Sequence, residues 1–154
     1  MKHALEGLGR PCPLDEVLAS FIGPSLRVAF ATLVETSDTK LIGAALALYR
    51  ERLSATGLYE NEVYPSRHFT QVYGSELDGR FDDKTELIAH VHASEEIDAS
   101  AAVMIGDRAG DVLGARANAV RSVGVLWGYG SERELVEAGA DRLCAAPAQL
   151  EACF

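Results

Sequence analysis

An unbroken apolar run at residues 101–105, Ala-Ala-Val-Met-Ile, stops abruptly at Gly106 and Asp107. A second, largely apolar run at residues 122–127 follows about one helix length later and ends at a Gly-Tyr-Gly turn. Runs without polar alternation are typical of strands that are buried on both faces of a parallel sheet. The two runs therefore predict parallel strands joined by a helix, and so an α/β fold.

The rest of the chain divides into two parts by pattern. Residues 67–154 predict the order β-α-β-α-β-α, with strands at 71–74, 101–105 and 122–127 and right-handed crossovers between them. Before Pro65 the apolar spacing is helical throughout, which predicts a small helical bundle. We therefore divide the chain at this point, into residues 1–64 and residues 65–154. The helices predicted in the second part are 84–92, 111–119 and 131–138.

Charge and cysteine content exclude several classes of function. The chain has 14 basic and 23 acidic residues and a net charge of −9, so nucleic acid and anionic lipid would repel it. Its three cysteines are widely spaced and form no Cys-x-x-Cys pair, which argues against a disulfide framework or a structural zinc site. With no signal-peptide pattern and no apolar run long enough to span a bilayer, we expect a cytoplasmic protein with reduced thiols.

Two carboxylates follow the strand at 101–105. Asp107 comes directly after it, and Asp111 lies four residues later, where the next helix opens. In open parallel sheets ligands bind at the carboxyl ends of the strands, and paired carboxylates suit Mg²⁺, which takes oxygen ligands. The alternative is structural, because Asp is favoured both in turns and at helix starts. The spacing alone leaves both interpretations open.

Lys84 stands at the predicted start of a helix, where the helix dipole disfavours a cation. A lysine in this place predicts an anion or an acidic partner nearby, and its ammonium group could hold a phosphoryl oxygen. The alternative is a solvated lysine beside Asp82 and Asp83.

Taken together, Asp-Lys at a helix start and Ile-Gly-Asp-Arg-x-x-Asp after a buried strand resemble the last two motifs of the haloacid dehalogenase (HAD) superfamily. Further segments resemble its phosphoglycolate phosphatase-like branch, which includes relatives described as 5′-nucleotidases. These segments are 74–79 (GSELDG), 114–118 (GARAN) and 124–131 (GVLWGYGS), with 8–11, 21–24 and 49–52 in the N-terminal part.

The resemblance implies a Rossmann-like parallel sheet core at 65–154 and an α-helical cap at 1–64. It implies Mg²⁺-dependent hydrolysis of a small phosphorylated metabolite, such as phosphoglycolate or a 5′-nucleotide. In that reaction Lys84 would be catalytic by holding the phosphoryl group of the substrate. Asp107 would be a direct metal ligand, and Asp111 would be a second carboxylate that supports the metal site.

Two motifs of the superfamily have no counterpart in the 154 residues. The first is Asp-x-Asp-Gly-Thr, which supplies the attacking aspartate and the acid/base; we expect its place to be just before residue 1. The second is a strand ending in Ser or Thr, expected near residues 65–67.

Three hypotheses follow: a phosphatase, a catalytically incompetent remnant that binds Mg²⁺ or phosphate, and an interaction protein whose partner supplies the missing strands. Because a missing strand would expose a sheet edge, self-association is also expected.

Overall fold

The computed structural model describes residues 1–57, 70–76 and 78–154. Within them the chain forms two compact units, Met1–Val72 and Tyr73–Phe154. The boundary predicted between residues 64 and 65 falls in a segment outside the described residues, and it remains a prediction.

The first unit is helical in its described residues, as the apolar spacing predicts. Its core consists of Ala4, Phe30, Ile42, Ala45 and Leu46, which lie on the first, third and fourth helices. Side-chain caps fix the starts of the two longer helices, where Ser25 accepts a hydrogen bond from the Val28 N–H and Asp38 accepts one from the Lys40 N–H. The four helices are α1 (Lys2–Gly7), α2 (Asp15–Ala19), α3 (Leu26–Leu33) and α4 (Thr39–Ala55).

The second unit alternates helices and strands, and this confirms the α/β fold class. Its sheet has three strands in the order β1-β2-β3, and both neighbouring pairs are parallel. Val103 lies opposite Arg121 in the first pair, and Val123 lies opposite Arg142 in the second. The elements are α5 (Lys84–Glu95), β1 (Val103–Gly106), α6 (Ala109–Ala117), β2 (Arg121–Val125), α7 (Glu132–Ala138) and β3 (Arg142–Cys144), with 3₁₀ turns at Ala99–Ala101 and Pro147–Cys153.

The predicted strand at 71–74 is wrong. Residues 71–76 form no regular element, and Val72 is 84% exposed. Only Val72 and Tyr73 are apolar in this stretch, so it has little surface to bury and no described strand pairs with it. The third strand is instead β3, which is too short to show a pattern in the sequence. A side-chain contact holds β3 beside β2: the N–H and Oγ of Ser122 both donate to Asp141, at 2.8 and 2.9 Å.

The sheet is covered unequally. All of β2 except Arg121 is buried, as a central strand in a parallel sheet requires. Val112, Leu135 and Ala138 form one apolar cluster on α6 and α7, and Val123, Val125 and Cys144 form another within the sheet. By contrast, β1 lies at the edge of the sheet and Ile105 is 41% exposed. None of the described helices is both long enough and apolar enough to cross a membrane.

We predict that the 154-residue chain self-associates through the β1 edge, because unpaired backbone groups on an apolar strand favour pairing with another strand. Light scattering over a range of concentrations should show masses above the 16.5 kDa monomer. The Ile105→Lys variant should remain monomeric, since a charge on an edge strand opposes pairing. Val136→Lys, on the exposed face of α7, is the matched control and should behave as the parent chain. A monomer at every concentration would contradict the prediction.

Candidate functional site

The three residues selected from the sequence lie where their elements begin or end. Asp107 follows β1 directly, Asp111 lies in the first turn of α6, and Lys84 is the first residue of α5. The structure brings Lys84 and Asp111 together, with Lys84 Nζ 3.2 Å from Asp111 Oδ1. Asp107 is fixed separately, because its Oδ2 accepts a hydrogen bond of 2.7 Å from the N–H of Tyr129.

Asp111 is the most enclosed charged group of the site, with only 7% of its surface exposed. Its two carboxylate oxygens have different partners: Oδ1 faces Lys84, and Oδ2 accepts the N–H of Arg108 at 3.2 Å. A buried carboxylate is costly unless it is paired and hydrogen-bonded, so both contacts stabilise it. Asp111 also stabilises the start of α6, as the structural alternative predicts, because it reaches back to the residue that caps this helix.

Lys84 differs from the solvated lysine that the sequence left open. Asp83 caps α5 by accepting the N–H groups of Thr85 and Glu86, at 2.7 and 3.3 Å. The Thr85 side chain and its N–H together lower the pKa of Asp83. Lys84 instead pairs across to α6 while 43% of its side chain stays exposed. An ammonium group has three N–H donors, so hydrogens beyond the one directed to Asp111 can reach an anion from solvent.

Glycines let the backbone approach both carboxylates closely. A Cβ on Gly106 would overlap the Asp111 side chain, and a Cβ on Gly128 would overlap the Asp107 side chain. A Cβ on Gly130 would overlap the carbonyl oxygen of Asp107. Glycine is therefore required at all three positions for the β1 end and the loop after β2 to pack in this way. The sequence run Gly-Tyr-Gly signalled the turn but not its contact with Asp107.

Glu134 is a site residue that sequence reasoning missed. It lies on α7, and its Oε1 accepts hydrogen bonds from both Arg108 Nε and the Ala109 N–H, each at 2.8 Å. Burial by itself raises the pKa of Glu134, but the hydrogen bonds from Ala109 and Arg108 outweigh it and lower the pKa overall. Ser131 caps α7 by accepting the Glu134 N–H at 3.1 Å.

Carboxylate oxygens, the ligands that a hard cation prefers, lie at the end of β1. Among the described residues no donor contacts Asp107 Oδ1, whereas both oxygens of Asp111 are engaged. Asp107 could therefore contact a cation directly through Oδ1, whereas Asp111 is already paired with Lys84. No group of three or more His, Cys, Asp or Glu side chains in the described part of the chain could hold a metal ion by itself.

A family model described as HAD-hydrolase-like matches residues 83–148, which include all three selected residues. The chain is 36% identical over 171 aligned positions to a protein named 5′-nucleotidase from Pseudomonas aeruginosa. That alignment covers 88% of this chain and 77% of the relative.

Other relatives carry different names. The chain is 26% identical to the tyrosine-protein kinase PtkA of Mycobacterium tuberculosis, over 84% of this chain and 56% of that protein. Among solved structures, a protein described as a predicted phosphatase from Clostridium acetobutylicum superposes with a TM-score of 0.89 at 28% identity. It is matched over 99% of this chain and 87% of its own length. The fold predicted from the resemblance is thereby confirmed.

The contacts of Glu134 predict a pH-dependent stability. Because its pKa is lower in the folded chain, its stabilisation is complete above the ordinary value of 4.5 and is lost as the pH falls through the folded-state pKa. Replacing Glu134 by Gln should lower the free energy of unfolding by about 1–2 kcal/mol at pH 7 and by much less at pH 3. Urea titrations at both pH values measure this.

Glu132→Gln, on the first turn of the same helix, is the matched control for this measurement and should cost little at pH 7. An equal loss of stability for Glu134→Gln at pH 3 and pH 7 would show that the ionised carboxylate is not what holds the start of α6.

Proposed function

Because this chain belongs to the haloacid dehalogenase superfamily of hydrolases, we propose that it provides the phosphate- and Mg²⁺-binding part of an active site that hydrolyses small phosphate monoesters. In this proposal Lys84, Asp107 and Asp111 form the part of the active site that holds the phosphoryl group and the cation. The observation that carries it is the ion pair between Lys84 Nζ and Asp111 Oδ1, 3.2 Å apart at the carboxyl end of a parallel sheet.

Lys84, Asp107 and Asp111 have different roles in this proposal, which follow from the charge and the exposure of each side chain. Lys84 has a partly exposed side chain, so its ammonium group can donate to a phosphoryl oxygen as a point charge. Asp107 offers Oδ1 to the cation, while the Tyr129 N–H fixes its Oδ2. Asp111 orients Lys84 and adds a second negative charge beside the cation. When bound, Mg²⁺ neutralises charge that develops on the phosphoryl oxygens.

Lys84, Asp107 and Asp111 do not supply the nucleophile that hydrolysis requires. Covalent phosphoryl transfer needs an activated nucleophile, and no Asp-x-Asp pair occurs among residues 1–154. We therefore infer that these residues bind phosphate and Mg²⁺ without turning over a substrate. Hydrolysis would require an attacking carboxylate from outside residues 1–154.

The substrate class in this proposal follows from the relatives rather than from the described geometry. One relative is named a 5′-nucleotidase, and the sequence motifs resemble the phosphoglycolate phosphatase-like branch. Both descriptions support a small phosphorylated metabolite. The three thiols, which are all free, support a reducing compartment such as the cytoplasm.

Titration calorimetry with inorganic phosphate, in the presence and absence of Mg²⁺, tests the proposal on the 154-residue chain. Phosphate should bind more tightly with Mg²⁺. Lys84→Met should weaken this binding about 10- to 100-fold, the range expected for a hydrogen bond to a charged group. Asp107→Asn should remove the effect of Mg²⁺. Lys40→Met, an exposed lysine at the start of α4, is the matched control and should bind as the parent chain.

Two results would contradict the proposal. One is equal phosphate affinity in Lys84→Met and Lys40→Met, which would exclude Lys84 as the anion-binding group. The other is hydrolysis of p-nitrophenyl phosphate above the rate of Mg²⁺ buffer that disappears in Asp107→Ala. That result would place an attacking group within residues 1–154.

A further inference from the structure

Helices α5 and α6 touch at Gly114. A Cβ on Gly114 would lie 2.9 Å from the Cβ of Lys84, 3.1 Å from its carbonyl carbon and 3.1 Å from Cδ1 of Ile88. These distances are tighter than ordinary van der Waals contact, and one of them is to backbone, which cannot move aside alone. Gly110, in the same helix, has nothing within 4 Å of its Cβ position. Gly114 is therefore the place where the first turn of α5 rests on α6.

A side-chain amide ties the same two helices together one turn later. Asn118 caps the end of α6, and its Nδ2 donates to two carbonyl oxygens: that of Thr85 at 3.0 Å and that of Gly114 at 2.9 Å. Thr85 follows Lys84 directly. One amide thus joins the helix that carries Asp111 to the residue next to Lys84.

The spacing of these residues explains why they act together. Asp111, Gly114 and Asn118 are three and four residues apart, so they lie along one face of α6. The start of α5 runs along this face, with Lys84 against Gly114 and Thr85 against Asn118. The Lys84–Asp111 ion pair is the third contact in this row.

We propose that Gly114 and Asn118 are positioning residues that hold α5 against α6 at the separation at which Lys84 reaches Asp111. The role of Lys84 toward phosphate rests on the function proposed above, but the positioning itself is a property of the chain without ligand. Gly114 sets the separation by lacking a side chain, and Asn118 fixes the register by its two hydrogen bonds.

The experiment measures the reactivity of Lys84 directly. The sequence has three lysines, Lys2, Lys40 and Lys84, so acetylation by a water-soluble N-hydroxysuccinimide ester can be followed at each by mass spectrometry. In Gly114→Ala the ion pair with Asp111 should loosen, and Lys84 should react about two- to fivefold faster, the factor that a partly exposed ion pair supplies. Asn118→Ala should shift Lys84 in the same direction. Lys2 and Lys40 are internal references, and Gly110→Ala is the matched control.

An unchanged rate at Lys84 in both Gly114→Ala and Asn118→Ala would overturn the proposal, and so would an equal increase in Gly110→Ala. If Gly114→Ala fails to fold, faster reaction at all three lysines will show it, and Asn118→Ala then decides. Phosphate titration of the same variants separates this inference from the proposed function. If the parent chain binds no phosphate, the proposed function fails, while the lysine rates still test the positioning.

Discussion

A nearly buried carboxylate controls the arrangement of the second unit. Asp111 is 7% exposed, and removing a charge from water is costly unless partners replace its hydration. Lys84 and the Arg108 N–H are those partners, so α5 must begin beside α6 and the chain must turn sharply after β1. The same requirement that stabilises the fold therefore places a lysine and two carboxylates at the carboxyl end of the sheet.

The carboxylates at the end of β1 are enclosed mainly by closely packed backbone. Gly106, Gly128 and Gly130 let two chain segments reach the carboxylates, and Gly114 lets one helix rest on another. Glu134 completes the arrangement by receiving hydrogen bonds from Arg108 and Ala109, which fixes the start of α6 from a third helix. The site is thus held mainly by backbone contacts and charged hydrogen bonds, which favour a fixed geometry before any ligand binds.

Local patterns in the sequence predict much of the fold and of the candidate site. The apolar runs indicate β1 and β2, and the carboxylates that follow the first run are Asp107 and Asp111. The strand predicted at 71–74 was wrong because two apolar residues cannot form a buried strand without a partner. Strand β3 was missed because three residues carry no period and because the hydrogen bond between Ser122 and Asp141, just before β3, spans 19 residues. The roles of Glu134 and Asn118 likewise depend on contacts 25 to 33 residues away, which no local pattern reveals.

We propose that the end of β1 is a cation-binding site built around Asp107. Titration with Mn²⁺, followed by paramagnetic broadening of backbone amide signals, tests this site, since the broadening depends on distance from the bound ion. We predict that the signals of residues 105–112 broaden first. The Asp107→Asn variant should lose this focus. Uniform broadening, or a focus on the exposed carboxylates of α7, would show that the cation does not bind at Asp107.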